Sequence, residues 1–92
     1  MGRKSISSGI LDESCRVYEQ DGWLQGVILT GGGIDAQVIL YDSADEDIAT
    51  ATAIGFVSRD VPFFDFMVHC AEGIYANVDE GAEFMVLYSK QG

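Results

Sequence analysis

Residues 22–42 constrain the fold more tightly than any other part of this chain. They begin Gly22-Trp23-Leu24-Gln25-Gly26-Val27-Ile28-Leu29-Thr30, pass through three glycines at 31–33 and then Ile34 and Asp35, and close on Ala36-Gln37-Val38-Ile39-Leu40-Tyr41-Asp42. β-Branched and aromatic residues suit a pleated, half-buried surface, and glycines between two such runs supply a turn. The block reads as strand, glycine turn, strand, with 23–30 and 36–41 paired as a hairpin. The glycines are turn chemistry. A phosphate-binding loop needs a lysine and a helix start after its glycines, and neither follows Gly33.

The same punctuation continues along the chain. Residues 10–11 and 15–18 predict short first strands. The loop at 43–47 is acidic, and 48–57 predicts a strand. A helix over 49–53 competes there, but two β-branched threonines and the lack of a charged face favour the strand. Residues 58–62 form a turn, because Pro62 cannot occupy a central strand position. A strand over 63–70, a turn at 71–73 and a closing hairpin of 73–78 with 82–88 complete the pattern. Short strands about ten residues apart, with turns between them, are the signature of a sandwich or barrel. The expected fold class is all-β: a compact antiparallel β-sandwich of jelly-roll type with seven or eight short strands. Residues 1–9, small, polar and slightly basic, read as a flexible arm that orders on contact with something else. Residues 10–92 make one domain, since 92 residues leave no room for a second.

Charge narrows the partners. The formal net charge is −10, all fifteen acids lie between Asp12 and Glu83, and Arg3, Lys4 and Lys90 are three of the five basic residues. Binding nucleic acid or an anionic membrane requires clustered lysine and arginine, so neither is expected as a partner. The acidity reads first as solubility and suppression of unwanted association, and second as complementarity to a basic partner surface. No apolar run reaches the roughly 18 residues of a membrane helix. The first residues lack the apolar stretch of a signal peptide.

Candidate chemistry is sparse. Cys15 and Cys70 form no C-x-x-C pair; both read as buried free thiols, with a disulfide between them left open. His69, the only histidine, stands beside Cys70, but neighbours on a strand point to opposite faces, so a nucleophile pair would diverge. Cys15 is its other conceivable partner. No serine sits in a nucleophile elbow, and the cysteines and histidine make no zinc quartet. Asp42, Asp45, Glu46 and Asp47 offer oxygens on a loop without the spacing or internal glycine of a calcium loop. The reading is of a non-enzymatic protein with no cofactor, no metal and no catalytic residue. Contacts are the more promising feature. Adjacent Phe63 and Phe64 cannot both face one interior, and Met85 and Leu87 alternate with the core-facing residues of the last strand.

Four segments taken together carry a resemblance: residues 22–33, Ala36 to Ser43, Cys70 to Val78, and Glu83 to Tyr88. In order and spacing they resemble small tailed-phage virion proteins, in which a strand-turn-strand ending in leucine-tyrosine-aspartate is followed by a glycine-isoleucine-tyrosine strand and a closing strand ending in tyrosine. The resemblance covers about residues 22–88 and rests on strand and turn motifs. It implies a capsid decoration or cement protein, or a small neck or tail component. Such a protein is made in the host cytoplasm and located in the virion. It binds major capsid or other virion subunits and forms a homo-oligomer, with a trimer expected. Contact candidates are Arg3, Lys4, Ile6, Phe63, Phe64 and Met85. This chain departs from the group in its acidity and its 63–66 segment. A second reading is a free carbohydrate-binding sandwich using Trp23 or Tyr75 for stacking and Asp42 and Asp45 for polar contacts. A third is an enzyme built on His69 and Cys70.

Overall fold

The computed structural model describes residues 6–45, 49–65, 67–79 and 81–90. These form nine strands: β1 (Ile6–Leu11), β2 (Cys15–Tyr18), β3 (Gly22–Gly31), β4 (Gln37–Asp42), β5 (Thr52–Ser58), β6 (Phe63–Phe64), β7 (Val68–Cys70), β8 (Ile74–Asp79) and β9 (Glu83–Lys90). They build two antiparallel sheets. Sheet I has the order β1-β9-β3-β6, with β7 also paired to β3; sheet II has the order β2-β8-β4-β5. β6 and β7 lie end to end along one edge of β3. Phe63 and Phe64 pair with Ile28 and Val27, and Val68, His69 and Cys70 pair with Leu24, Trp23 and Gly22.

The inner faces of the two sheets make the core. Leu24, Val27, Val86 and Phe84 of sheet I and Val38, Leu40, Val57, Ile74 and Ala76 of sheet II are fully buried. On β3 the inward residues run Leu24, Val27, Leu29, one position out of strict alternation. A register shift between Leu24 and Gly26 accounts for it, since a bulge adds one residue and re-phases the pleat. The sheets meet closely at Gly55. A Cβ there would lie 3.1 Å from the Phe64 ring and 3.4 Å from Leu24, so glycine lets the phenylalanine seat across the layers.

The structure corrects the sequence reading at several points. Neither expected hairpin is one. β3 and β4 belong to different sheets, as do β8 and β9, so each connection crosses between the layers. Only β4 and β5 are consecutive and hydrogen-bonded to each other. A glycine turn between two apolar runs serves a crossing loop as well as a hairpin, so local pattern does not separate them. The expected strand over 63–70 is broken into β6 and β7. The strand expected over 48–57 begins at Thr52, and residues 49–50 form a turn rather than a helix. Ile48 lies outside the described residues.

The arm expected over 1–9 is also revised. Residues 6–9 belong to β1, which pairs with β9 through Ile6↔Tyr88 and Ser7↔Leu87. Polar side chains hide this strand from a hydrophobicity pattern, because Ser8 serves the ladder directly: its Oγ accepts the Val86 N–H at 2.9 Å. Gly9, at φ 74°, completes the irregularity.

Candidate protein-contact face

Cross-strand partners in an antiparallel sheet share a face. Val27, Val86 and Phe64 pair in one row and point inward. The neighbouring row, Ile10–Met85–Ile28–Phe63, spans β1, β9, β3 and β6 and therefore points outward. Ile10 is 67% exposed and Phe63 54% exposed, and Met85 and Ile28 are half-buried between them. Leu87 extends this apolar surface in the next row, opposite Ser7 and Gly26. Further along, Trp23 pairs with His69, their rings 4.9 Å apart.

Within the strands of sheet I the only described acid is Glu83, at the first position of β9. Among the described acids only Asp42, Asp79 and Glu83 belong to strands, each at a strand end; the others lie in loops. The outer face of sheet II is more polar. Its rows include Arg16 beside Tyr75 and Tyr41, Asn77 beside Ile39 and Phe56, and Gln37, whose Nε2 donates to Asp79 at 3.3 Å. A chain of net charge −10 thus keeps one sheet face apolar across four strands. Fully burying one large apolar side chain is worth about 1.5–3 kcal/mol, so covering this row releases several.

The expected contact residues separate on this geometry. Phe63 and Met85 lie in the outward row. Phe64 points inward against the core cluster and Gly55. Ile6 is half-buried opposite Tyr88. Arg3 and Lys4 lie outside the described residues. Ile10 and Ile28 complete the row and were missed. The signal for Ile28 was its place between inward Val27 and Leu29; none was available for Ile10 without the register of β1.

The other candidate groups are held in local structure. The Asp42 carboxylate accepts the backbone N–H groups of Ala71, Glu72 and Gly73 at 3.2, 2.8 and 3.3 Å, tying the end of β4 to the turn before β8. Gly73 adopts φ 149°, and a Cβ there would come within 2.5 Å of the Tyr18 carbonyl. Replacing Asp42 with alanine is expected to cost about 2 kcal/mol, the scale for hydrogen bonds to a charged acceptor, measured by urea unfolding. Ser43 Oγ donates to the Asp45 carbonyl and accepts its N–H; Glu46 and Asp47 lie outside the described residues. Among the described residues, no group of three or more His, Cys, Asp or Glu converges as a metal site. The glycine loop after β3 carries a contact that its sequence does not announce. The Arg59 guanidinium donates to the Gly32 and Gly33 carbonyls at 3.3 and 3.5 Å.

His69 and Cys70 diverge. His69 faces outward, its Nε2 2.6 Å from Asp21 Oδ1, whereas Cys70 is fully buried. Cys15 and Cys70 are both free thiols. Burial, followed by the charge of Asp42, pushes the Cys70 thiol up to about 11; a backbone hydrogen bond at Leu24 opposes this, and the charge of Asp21 adds to it least. Burial and the charge of Glu13 raise Cys15 as well. Cys70 is therefore expected to resist iodoacetamide at neutral pH until the chain is unfolded. The folded state holds the Cys70 proton more tightly than the unfolded chain does. This contribution is full below pH 9 and is lost as pH rises towards 11, so wild type is expected to lose more stability over that range than Cys70→Ala, by on the order of 2 kcal/mol. Tyr75 is 8% exposed, and the Trp23 ring lies 4.9 Å from that of His69 at a tilt of 38°.

Neither a protein-family model nor a curated protein matches this chain.

Proposed function

We propose that this chain is a non-enzymatic structural component of a phage particle, a capsid decoration or cement protein that docks on major capsid subunits through the outer face of sheet I. The observation that carries the reading is the uncharged apolar row Ile10–Met85–Ile28–Phe63 on a chain whose acids otherwise occupy loops and strand ends. A contiguous apolar row open to solvent on a sheet face is the kind of surface that marks an interaction site. The resemblance of residues 22–88 to small virion proteins supplies the kind of partner. The mechanism is mechanical: capsid opening must also break the contacts of each bound copy, and many copies on one particle make weak sites effective.

The strand order supports the jelly-roll form of the sandwich. If β6 and β7 count as one interrupted strand, the sheets read 1-8-3-6 and 2-7-4-5, the order produced by winding a long hairpin of strands into two Greek keys. Self-association, with a trimer as the proposed state, would cover open edges such as β5, whose residues Thr52–Ser58 carry no charge.

The test is size-exclusion chromatography with light scattering, together with co-sedimentation of the protein with expanded heads of the phage that encodes it. Saturable binding supports the proposal. A chain that binds no head, or a gene found in no phage genome, overturns it.

A further inference from the structure

The apolar row ends in charge on particular sides. Glu83 lies on the same outward face, two residues before Met85 on β9. Asp12 follows Leu11, which pairs with Phe84, so it flanks the same end of the sheet. Asp65 follows Phe64 at the interruption between β6 and β7. Asp12, Glu83 and Asp65 are exposed. The opposite end is more balanced: Asp21 is bonded to His69, and Lys90 pairs with Gly22. The face is thus apolar at its centre, with exposed Asp12 and Glu83 at the end where Arg59 meets the Gly32 and Gly33 carbonyls, and Asp65 along one edge.

Resting on the docking reading above, we infer that the surface this face recognises is an apolar patch bordered by lysine or arginine side chains that meet Asp12, Glu83 and Asp65, rather than a second copy of this chain. Two copies packed face to face would bring together surfaces of the same sign on molecules that each carry −10. A basic border converts that cost into attraction, and it steers the encounter from a distance. Packing of the apolar row then supplies the lifetime of the complex, because interface affinity resides mainly in dissociation.

The two forces respond oppositely to salt. Purely apolar docking holds or strengthens as salt rises, whereas a charge-steered encounter slows, because exposed charges are screened beyond about 10 Å at 0.1 M. The experiment measures association of the chain with heads lacking it between about 50 and about 500 mM sodium chloride, with a fall in rate of at least about tenfold expected. The double substitution Asp12→Asn/Glu83→Gln is expected to flatten that dependence. The double substitution Asp79→Asn/Asp45→Asn, on the side of sheet II, removes the same charge and is expected to keep most of it. Binding that is indifferent to salt or strengthened by it, or equal effects of the two pairs, overturns the inference and leaves the docking reading standing. A dimer of the isolated chain that Met85→Lys dissociates overturns the inference too, by naming a second copy as the occupant. Absence of binding at every salt concentration overturns both.

Discussion

Met85→Lys is expected to weaken head binding by at least about a hundredfold, the scale for placing an unpaired charge at the centre of a desolvated interface. Met85 sits in the middle of the outward row, between Ile10 on β1 and Ile28 on β3, so any partner covering the row must cover it. The same substitution should leave the fold intact. Met85 points away from the core, its inward neighbours Phe84 and Val86 stay in place, and surface changes of this kind usually fall within about 0.5 kcal/mol. Co-sedimentation gives the affinity, and urea unfolding of the same preparation gives the stability. Ile28→Lys should repeat the result. Phe56→Lys, a comparable change on the outer face of sheet II, should leave binding unaltered. If the Phe56 variant loses binding and the Met85 variant keeps it, sheet II is the docking face.

Phe84→Ala is expected to cost about 3–5 kcal/mol, the range for truncating a buried aromatic ring where the surroundings relax only partly. Phe84 is the largest fully buried side chain among the described residues. It sits on β9 opposite Leu29 of β3 and Leu11 of β1, so its ring joins three strands of sheet I against the inner face of sheet II. A domain of this size has about 5–15 kcal/mol in all, so the loss leaves a marginal protein. Chemical unfolding measures it, with Phe84→Leu as a milder variant that keeps the chain folded for comparison. A loss below about 1 kcal/mol would mean that Phe84 does not anchor the core.

The fold class was legible because β-branched runs and glycine turns recur at short spacing. The core-facing residues of β9 followed from alternation: Phe84 and Val86 are buried, although Ser89, on the alternate set, is buried as well. Strand partnership was not legible. Gly31 to Gly33 announce a turn, but whether the chain folds back beside itself or crosses to the other layer depends on the packing of all nine strands. β1 was hidden for a different reason. Its Ser7, Ser8 and Gly9 give no alternating apolar signal, although Ser8 replaces a backbone partner for Val86.

The contact face was half legible. Met85 stood out because it alternates with Phe84 and Val86, and Phe63 because two adjacent phenylalanines cannot share a face. Their union with Ile10 and Ile28 in one row depends on the registers of β1 and β3 against β9, which are long-range facts. Phe64 illustrates the ambiguity: sequence requires one phenylalanine of the pair to face out, and only the register Val27↔Phe64 assigns this one inward. Asp42 reads as one of several loop acids until the turn at 71–73 is brought beside it; then it is the acceptor that orders that turn.

The most direct test is an electron cryomicroscopy reconstruction of heads saturated with this protein. The expected map places each copy with sheet I against the capsid, Ile10, Met85, Ile28 and Phe63 at the contact, and sheet II facing solvent. Copies seated through sheet II, or heads that carry no added density, would contradict it.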